Sequence, residues 1–289
     1  MTRERLKLGA FLYTPGSHSA GWRHPDAVPE TDMDFARYVE LARTAERGLI
    51  DTVFFQDTAA VGGSGNLDGA GAVRPRANRQ TYLEPVSLIA ALAAVTSNIG
   101  LISTATTTYA EPYDLARRFA TIDHISGGRA GWNLVTSQVE DEAGNFGAER
   151  HMEHGARYER AEEFWDVVTA LWDSWEDGAL LGDKVSGTYI DGSKMHFQHH
   201  AGRHFKMHGP LNLPRTPQGR PVVSEAGSSE AGKALAARTA DLVFTAQTVL
   251  EEAKTFHDDV KSRTALVGRN PDHIKILARP DDHGRPDRR

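Results

Sequence analysis

Short apolar runs alternate along the chain with longer stretches in which apolar residues recur at helical spacing. Residues 6–13 read as a first strand. Residues 34–47 read as an amphipathic helix, with Phe35, Tyr38, Val39, Leu41, Ala42 and Ala45 on one side and Gly48 closing it. The run 52–55 predicts a second strand, followed at once by Gln56 and Asp57. The same rhythm predicts strands over 99–104, 130–136, 221–224, 242–244 and 274–277, and helices over 85–96, 112–125, 157–173, 229–239 and 250–267. Two stretches break it. Residues 62–71 are glycine-rich and polar, and 184–217, with many Gly, His and Pro, read as an insertion.

Strands and helices alternating without hairpin signals predict a parallel sheet. Seven strands approach the eight of a TIM (β/α)8 barrel, so the expected fold is an α/β barrel truncated after the seventh strand. A doubly wound sheet needs a glycine-rich phosphate turn after an early strand, and none follows Tyr13 or Phe55 in the right form. The expected division is one barrel domain over 1–277, with an insertion at about 178–220, and a polar tail over 278–289.

The 289 residues carry a net charge of −6, which gives no footprint for nucleic acid or an anionic membrane. Cysteine is absent, which excludes disulfides, thiol catalysis and thiolate metal sites. No signal-peptide pattern or spanning apolar run is present, and a cytoplasmic location is expected.

Candidate chemistry gathers where strands end. In SGGRAGWNLVTS, residues 126–137, Gly127 and Gly128 supply the positive φ of a helix-to-strand turn, and Asn133, Thr136 and Ser137 cluster at the strand's carboxyl end. In an α/β barrel that end binds ligands. Thr104 ends the preceding strand, although Ser103 and Thr106 offer equivalent hydroxyls. Asp57 follows the second strand and could orient a ring N–H; a solvated loop Asp is the plainer reading. In AGSSEAG, Gly227 and Ser228 open a helix and suit a phosphate, although an ordinary Ser N-cap reads equally well. His154 and Tyr158, four apart, share one helix face. His18 and Trp22 lie in the loop after the first strand, and Gln138 with Asn145, Phe146 and Gly147 shapes the same mouth. The run holding His196, His199, His200, His204 and His208 invites a metal reading, but it lacks HExxH and a carboxylate at ligand spacing. Arg74, Arg76 and Arg79 could bind an anionic substrate, but three arginines in a polar loop are usually solvated.

From about residue 8 to 277 the ordered segments GSHSAGWRHPDA, TVFFQD, ISTATTTYAEPYDLARRFATIDHISGGRAGWNLVTS, NFG, HGARYERAEEFWDVV, HGPLNLPRTPQGRPVV and AGSSEAGKALAARTADLVFTA resemble one family. It is the nitrilotriacetate monooxygenase, pristinamycin synthase and dibenzothiophene-sulfone monooxygenase group, flavin-dependent enzymes of the bacterial luciferase superfamily. The resemblance implies a luciferase-like barrel in a two-component system. Reduced FMN (FMNH2) would come from a separate NAD(P)H:flavin reductase and meet O2 as cosubstrate. A flavin peroxide would insert one oxygen atom into a small organic substrate. The resemblance places His18 on the substrate side as the catalytic candidate, and Asp57, Thr104, Asn133, His154, Tyr158, Gly227 and Ser228 on the flavin. It implies a homo-oligomer, and no metal. Substrates in the group range over aminopolycarboxylates, sulfones, sulfides and alkanes, and the loops that choose among them diverge. The stretches 62–71 and 184–217 are candidate lids. The group continues past IKIL, so a truncated or frame-shifted terminus is expected. Two alternatives stay open: a non-catalytic remnant that keeps its flavin ligands, and a metal-dependent barrel hydrolase using the histidine run.

Overall fold

The computed structural model describes residues 6–14, 16, 20–28, 32–61, 81–247 and 249–278. The chain divides into two compact units, residues 1–221 and 222–289.

In the first unit, strands β1 (Gly9–Phe11), β2 (Thr52–Phe55), β3 (Gly100–Thr106) and β4 (Ala130–Val135) lie side by side and parallel, in chain order. The register runs Phe11, Phe54, Ile102, Gly131 across them. Helices α1 (Phe35–Arg47), α2 (Pro85–Ala93) and α3 (Pro112–Ser126) make the crossovers, and α5 (His154–Trp172) follows β4 after the short α4 (Glu142–Asn145). Their ends are written locally. Asp34 caps α1 by accepting from Ala36 N–H, and Glu84 caps α2 by accepting from Val86 and Ser87. Gly127 at φ 66° and Gly128 at φ 90° turn α3 into β4, as expected. A side chain at Gly128 would press on Pro217 as well.

Trp132 anchors the layer between sheet and helices. It is fully buried, with ring centroids 6.0 Å from Phe119, 5.9 Å from Phe164 and 6.3 Å from Trp172. Its neighbour Asn133 faces the other side of the strand, as period-two alternation requires. Beyond α5 the chain forms an arm, with isolated bridges Trp175–Met195 and Leu180–Ile190 and a hairpin of β5 (His200–Ala201) and β6 (Lys206–Met207). Phe205 meets Phe164 edge-on under the Arg160 guanidinium, which lies 4.2 Å from its ring.

In the second unit, β7 (Val222–Glu225), β8 (Leu242–Thr245) and β9 (Lys275–Ala278) are parallel. Helices α6 (Glu230–Thr239) and α7 (Leu250–Leu266) pack with them around Ala236, Ala240, Val243, Phe256, Val260 and Ile274. Among the described residues no helix is long and apolar enough to cross a membrane.

Several expected boundaries move. The first strand shrinks to three residues. Helix α2 stops at Ala93, because Thr96 folds its hydroxyl back onto Leu92 O and Glu46 takes the next three N–H groups. Helix α5 begins at His154 rather than 157. Helix α4 and the β5–β6 hairpin arise where only loop was expected; both are too short to carry a periodic signal.

Candidate active site at the carboxyl ends of the strands

Thr104 and Asn133 are register partners on β3 and β4. Asn133 Nδ2 donates to Thr104 Oγ1 at 2.8 Å, and that hydroxyl donates to Phe55 O at 2.9 Å, so one chain of hydrogen bonds crosses β2, β3 and β4. Asn133 is 4% exposed, yet its Oδ1 has no partner among the described residues. A buried amide oxygen left bare costs stability unless a ligand donor meets it. Within STATTT the Thr104 hydroxyl receives Asn133, the Thr106 hydroxyl receives Ser137 Oγ and Thr108 N–H, and Ser103 Oγ is buried without a partner among the described residues.

Asp57 follows β2. Burial, reinforced by the Glu84 and Glu142 carboxylates, pushes its pKa up to about 7, against the Thr58 N–H that favours its charge. Tyr82 donates to Thr58 O at 2.5 Å, and burial pushes its hydroxyl up to about 12. Helix α4 holds the same loop. Glu142 Oε1 accepts Ala59 N–H at 2.9 Å, Asn145 Nδ2 donates to Ala59 O at 2.7 Å, and Glu142 Oε2 is buried without a partner among the described residues. A small cleft beside these residues is lined by Tyr13, Phe55, Gln56 and Tyr82 among others.

His154 and Tyr158 stand on the first two turns of α5 with rings 4.8 Å apart, and no side chain caps that helix's N-terminus. Between them Arg157 is buried. Its Nη1 donates to Ser137 O at 2.6 Å and bonds His151 Nε2, while its Nε has no partner among the described residues. His151 Nδ1 meets the Tyr109 hydroxyl at 2.5 Å, and Tyr109 stacks on Phe146 at 4.5 Å. Sequence reading missed Glu142, Tyr109, His151 and Arg157. The local signal for Arg157 was an arginine between His154 and Tyr158 in HGARYER.

Gly227 and Ser228 belong to the second unit, in the turn after β7. Ser228 is exposed, and the N-cap is Ser229, which accepts Gly232 N–H at 3.1 Å. The capping reading therefore falls on Ser229 and leaves the Ser228 hydroxyl for other work. Glu225, also missed, is buried at the end of β7 against the Thr239 hydroxyl, and burial pushes its pKa up to about 8.

The histidine run sits on the arm. His200 bonds Glu163 at 2.9 Å, His204 lies 3.8 Å from Glu159, and His196 pairs with Glu176. Against the cost of burial, hydrogen bonds from His200 and from the N–H groups of His204 and Phe205 pull Glu163 down to about 2. The contacts with Glu159 and Glu163 fasten the hairpin to α5. Among the described residues no three acidic or histidine side chains are grouped to hold a metal ion. His18, Arg74, Arg76, Arg79, residues 62–71 and the last eleven residues lie outside the described residues.

Parallel strands backed by helices, with polar groups gathered at their carboxyl ends, define a (β/α)-barrel protein. The family profile for luciferase-like monooxygenases matches residues 11–280. The nitrilotriacetate monooxygenase component A of Aminobacter aminovorans is 52% identical over 276 residues, which are 95% of this chain and 61% of that protein. The crystal structure of the long-chain alkane monooxygenase LadA matches with a TM-score of 0.86 at 36% identity, over 96% of this chain and 64% of that one. A riboflavin lyase solved with modified FMN and riboflavin matches with a TM-score of 0.85 at 33% identity, over 95% of this chain and 62% of that one. The chain belongs to the luciferase-like monooxygenase family. It spans about six-tenths of the length of these relatives.

Proposed function

We propose that the protein is a reduced-FMN-dependent monooxygenase. It works with a separate NAD(P)H:flavin reductase and inserts one oxygen atom of O2 into a small organic substrate. The observation that carries this reading is the bare Asn133 Oδ1, a buried acceptor beside the Thr104 hydroxyl at the strand ends. A flavin ring N–H fits that acceptor. When bound, reduced flavin supplies the electrons for oxygen activation.

The chain's own residues bind and orient. Asn133 and Thr104 take the polar edge of the ring. Asp57, keeping its proton up to about pH 7, presents a neutral donor there instead of a charge. His154 and Tyr158 and the open N-terminus of α5 receive an anionic group, and Gly227 with the exposed Ser228 is assigned to phosphate. His18 keeps its assignment to the substrate side. The name "component A" borne by the 52%-identical relative supports the two-protein arrangement. A homo-oligomer completes the proposal.

The test is oxygen uptake with FMN, NADH and a generic flavin reductase, over a panel of nitrilotriacetate, dibenzothiophene sulfone and hexadecane. Substrate-dependent product is expected. No product, with no FMN-dependent rise in melting temperature, overturns the reading in favour of a remnant without catalysis.

A further inference from the structure

The loops after β3 and β4 carry a hydrogen-bond relay whose proton positions follow from the chemistry of its members. Arg157 can only donate. Its Nη1 faces His151 Nε2, so that nitrogen must offer a lone pair. The neutral ring then carries its proton on Nδ1, and Nδ1 faces the Tyr109 hydroxyl at 2.5 Å. Tyr109 oxygen is therefore the acceptor. Its own proton is left over, and the Tyr109 hydroxyl has no other hydrogen-bond partner among the described residues.

Further contacts fix the relay in place. Arg157 also holds Ser137 O at 2.6 Å, at a residue in the left-handed region (φ 54°), and Ser137 Oγ reaches Thr106 Oγ1 at 2.9 Å. Glu140 Oε1 accepts the backbone N–H of His151. Tyr109 lies parallel to Phe146, 6° between planes, and Phe146 is half exposed. Arg157, 8% exposed, forms no ion pair among the described residues, so no carboxylate draws it away from Ser137 and His151.

We propose that Tyr109 is a substrate-binding residue at the mouth, its hydroxyl proton aimed at an acceptor oxygen of the substrate by the positioning residues His151 and Arg157. The Phe146 ring gives that substrate an apolar wall. The ligand chemistry is an oxygen acceptor, either a carboxylate or a sulfone. Burial and the Glu142 carboxylate raise the Tyr109 pKa against the pull of Arg157, which keeps the proton on the hydroxyl. The inference rests on the monooxygenase reading for the identity of the ligand; the relay itself does not.

Two measurements on the intact chain test it. Nitrogen-15 shifts of the labelled protein, with His151 identified by the His151→Gln difference, are expected to show a proton on Nδ1 and a bare Nε2. A proton on Nε2 overturns the relay whatever the enzyme does. Tyr109→Phe keeps the ring stack but leaves the His151 Nδ1–H unpaired, so FMN affinity should match the parent while the melting temperature falls slightly. Its KM should rise about tenfold, with kcat within about twofold, for the acceptor the site was built for. A rise confined to nitrilotriacetate assigns the carboxylate, and one confined to dibenzothiophene sulfone assigns the sulfone. An unchanged KM for every substrate turned over overturns the proposal. If the parent oxidises nothing in the panel, the monooxygenase reading and the substrate role fall together, and the nitrogen shifts still decide the relay.

Discussion

The two ends of the sheet in the first unit treat their polar groups in opposite ways. At the amino ends the long polar side chains are met. Arg129 gives its guanidinium to Ser126 O, Thr96 Oγ1, Ile99 O, Ala93 O and Thr96 O. Glu46 accepts the N–H groups of Ser97, Asn98 and Ile99, and Asp123 ties Ala130 N–H to Gln218. At the carboxyl ends Asn133 Oδ1, Glu142 Oε2 and Arg157 Nε are buried and without partners among the described residues, and the pKa of Asp57 is pushed up to about 7. Satisfied polar groups build a scaffold; unsatisfied ones at a strand mouth await a ligand.

The contrast breaks most visibly at Arg129. Arg129→Met strands carbonyls and a hydroxyl together, and urea denaturation should show a loss of about 3–5 kcal/mol. Asn133→Leu, of similar volume, should change the stability of the flavin-free protein by no more than about 1 kcal/mol while weakening FMN binding about tenfold or more. If both substitutions destabilise alike, the two ends do not differ as argued.

The titrations sharpen the comparison. Asp57 and Glu225 are acids whose folded pKa values, about 7 and about 8, lie above their ordinary values of 3.8 and 4.5. Within those windows the folded state holds protons that the unfolded chain has released. Stability therefore falls as pH rises from about 4 to about 7 for Asp57, and from about 4.5 to about 8 for Glu225, and is flat above. The Thr239 hydroxyl, which donates to Glu225 Oε1, and the Arg269 charge both pull the Glu225 pKa down, so burial outweighs them. Glu225→Gln should melt higher than the parent at pH 8 and level with it at pH 4. Asp57→Asn should do the same with the difference complete by pH 7. The smallest effect belongs to the exposed pair Arg37–Glu40, whose removal should change stability by under about 0.5 kcal/mol.

Much of the fold was legible because its signals are local. The run TVFF is β2 as predicted, and the Gly127–Gly128 turn and the Pro85 and Pro112 helix starts need only their neighbours. The pairing of Thr104 with Asn133 was legible because both lie near the carboxyl ends of consecutive strands, which Thr106 and Val135 close, and the structure brings them to a hydrogen bond. Glu142, Tyr109 and Glu225 were not legible. Their meaning lies in contacts with Ala59, His151 and Thr239, respectively 83, 42 and 14 positions away. Helix α4, which delivers Glu142, is one turn long and leaves no period to read.

The account stands most directly on FMN binding measured side by side for the parent, Asn133→Leu and Arg37→Ala under anaerobic, reducing conditions. It predicts saturable binding by the parent, the same affinity in Arg37→Ala, and at least about a tenfold loss in Asn133→Leu. Equal affinity in all three, or none in the parent, contradicts a flavin held at the carboxyl ends of these strands.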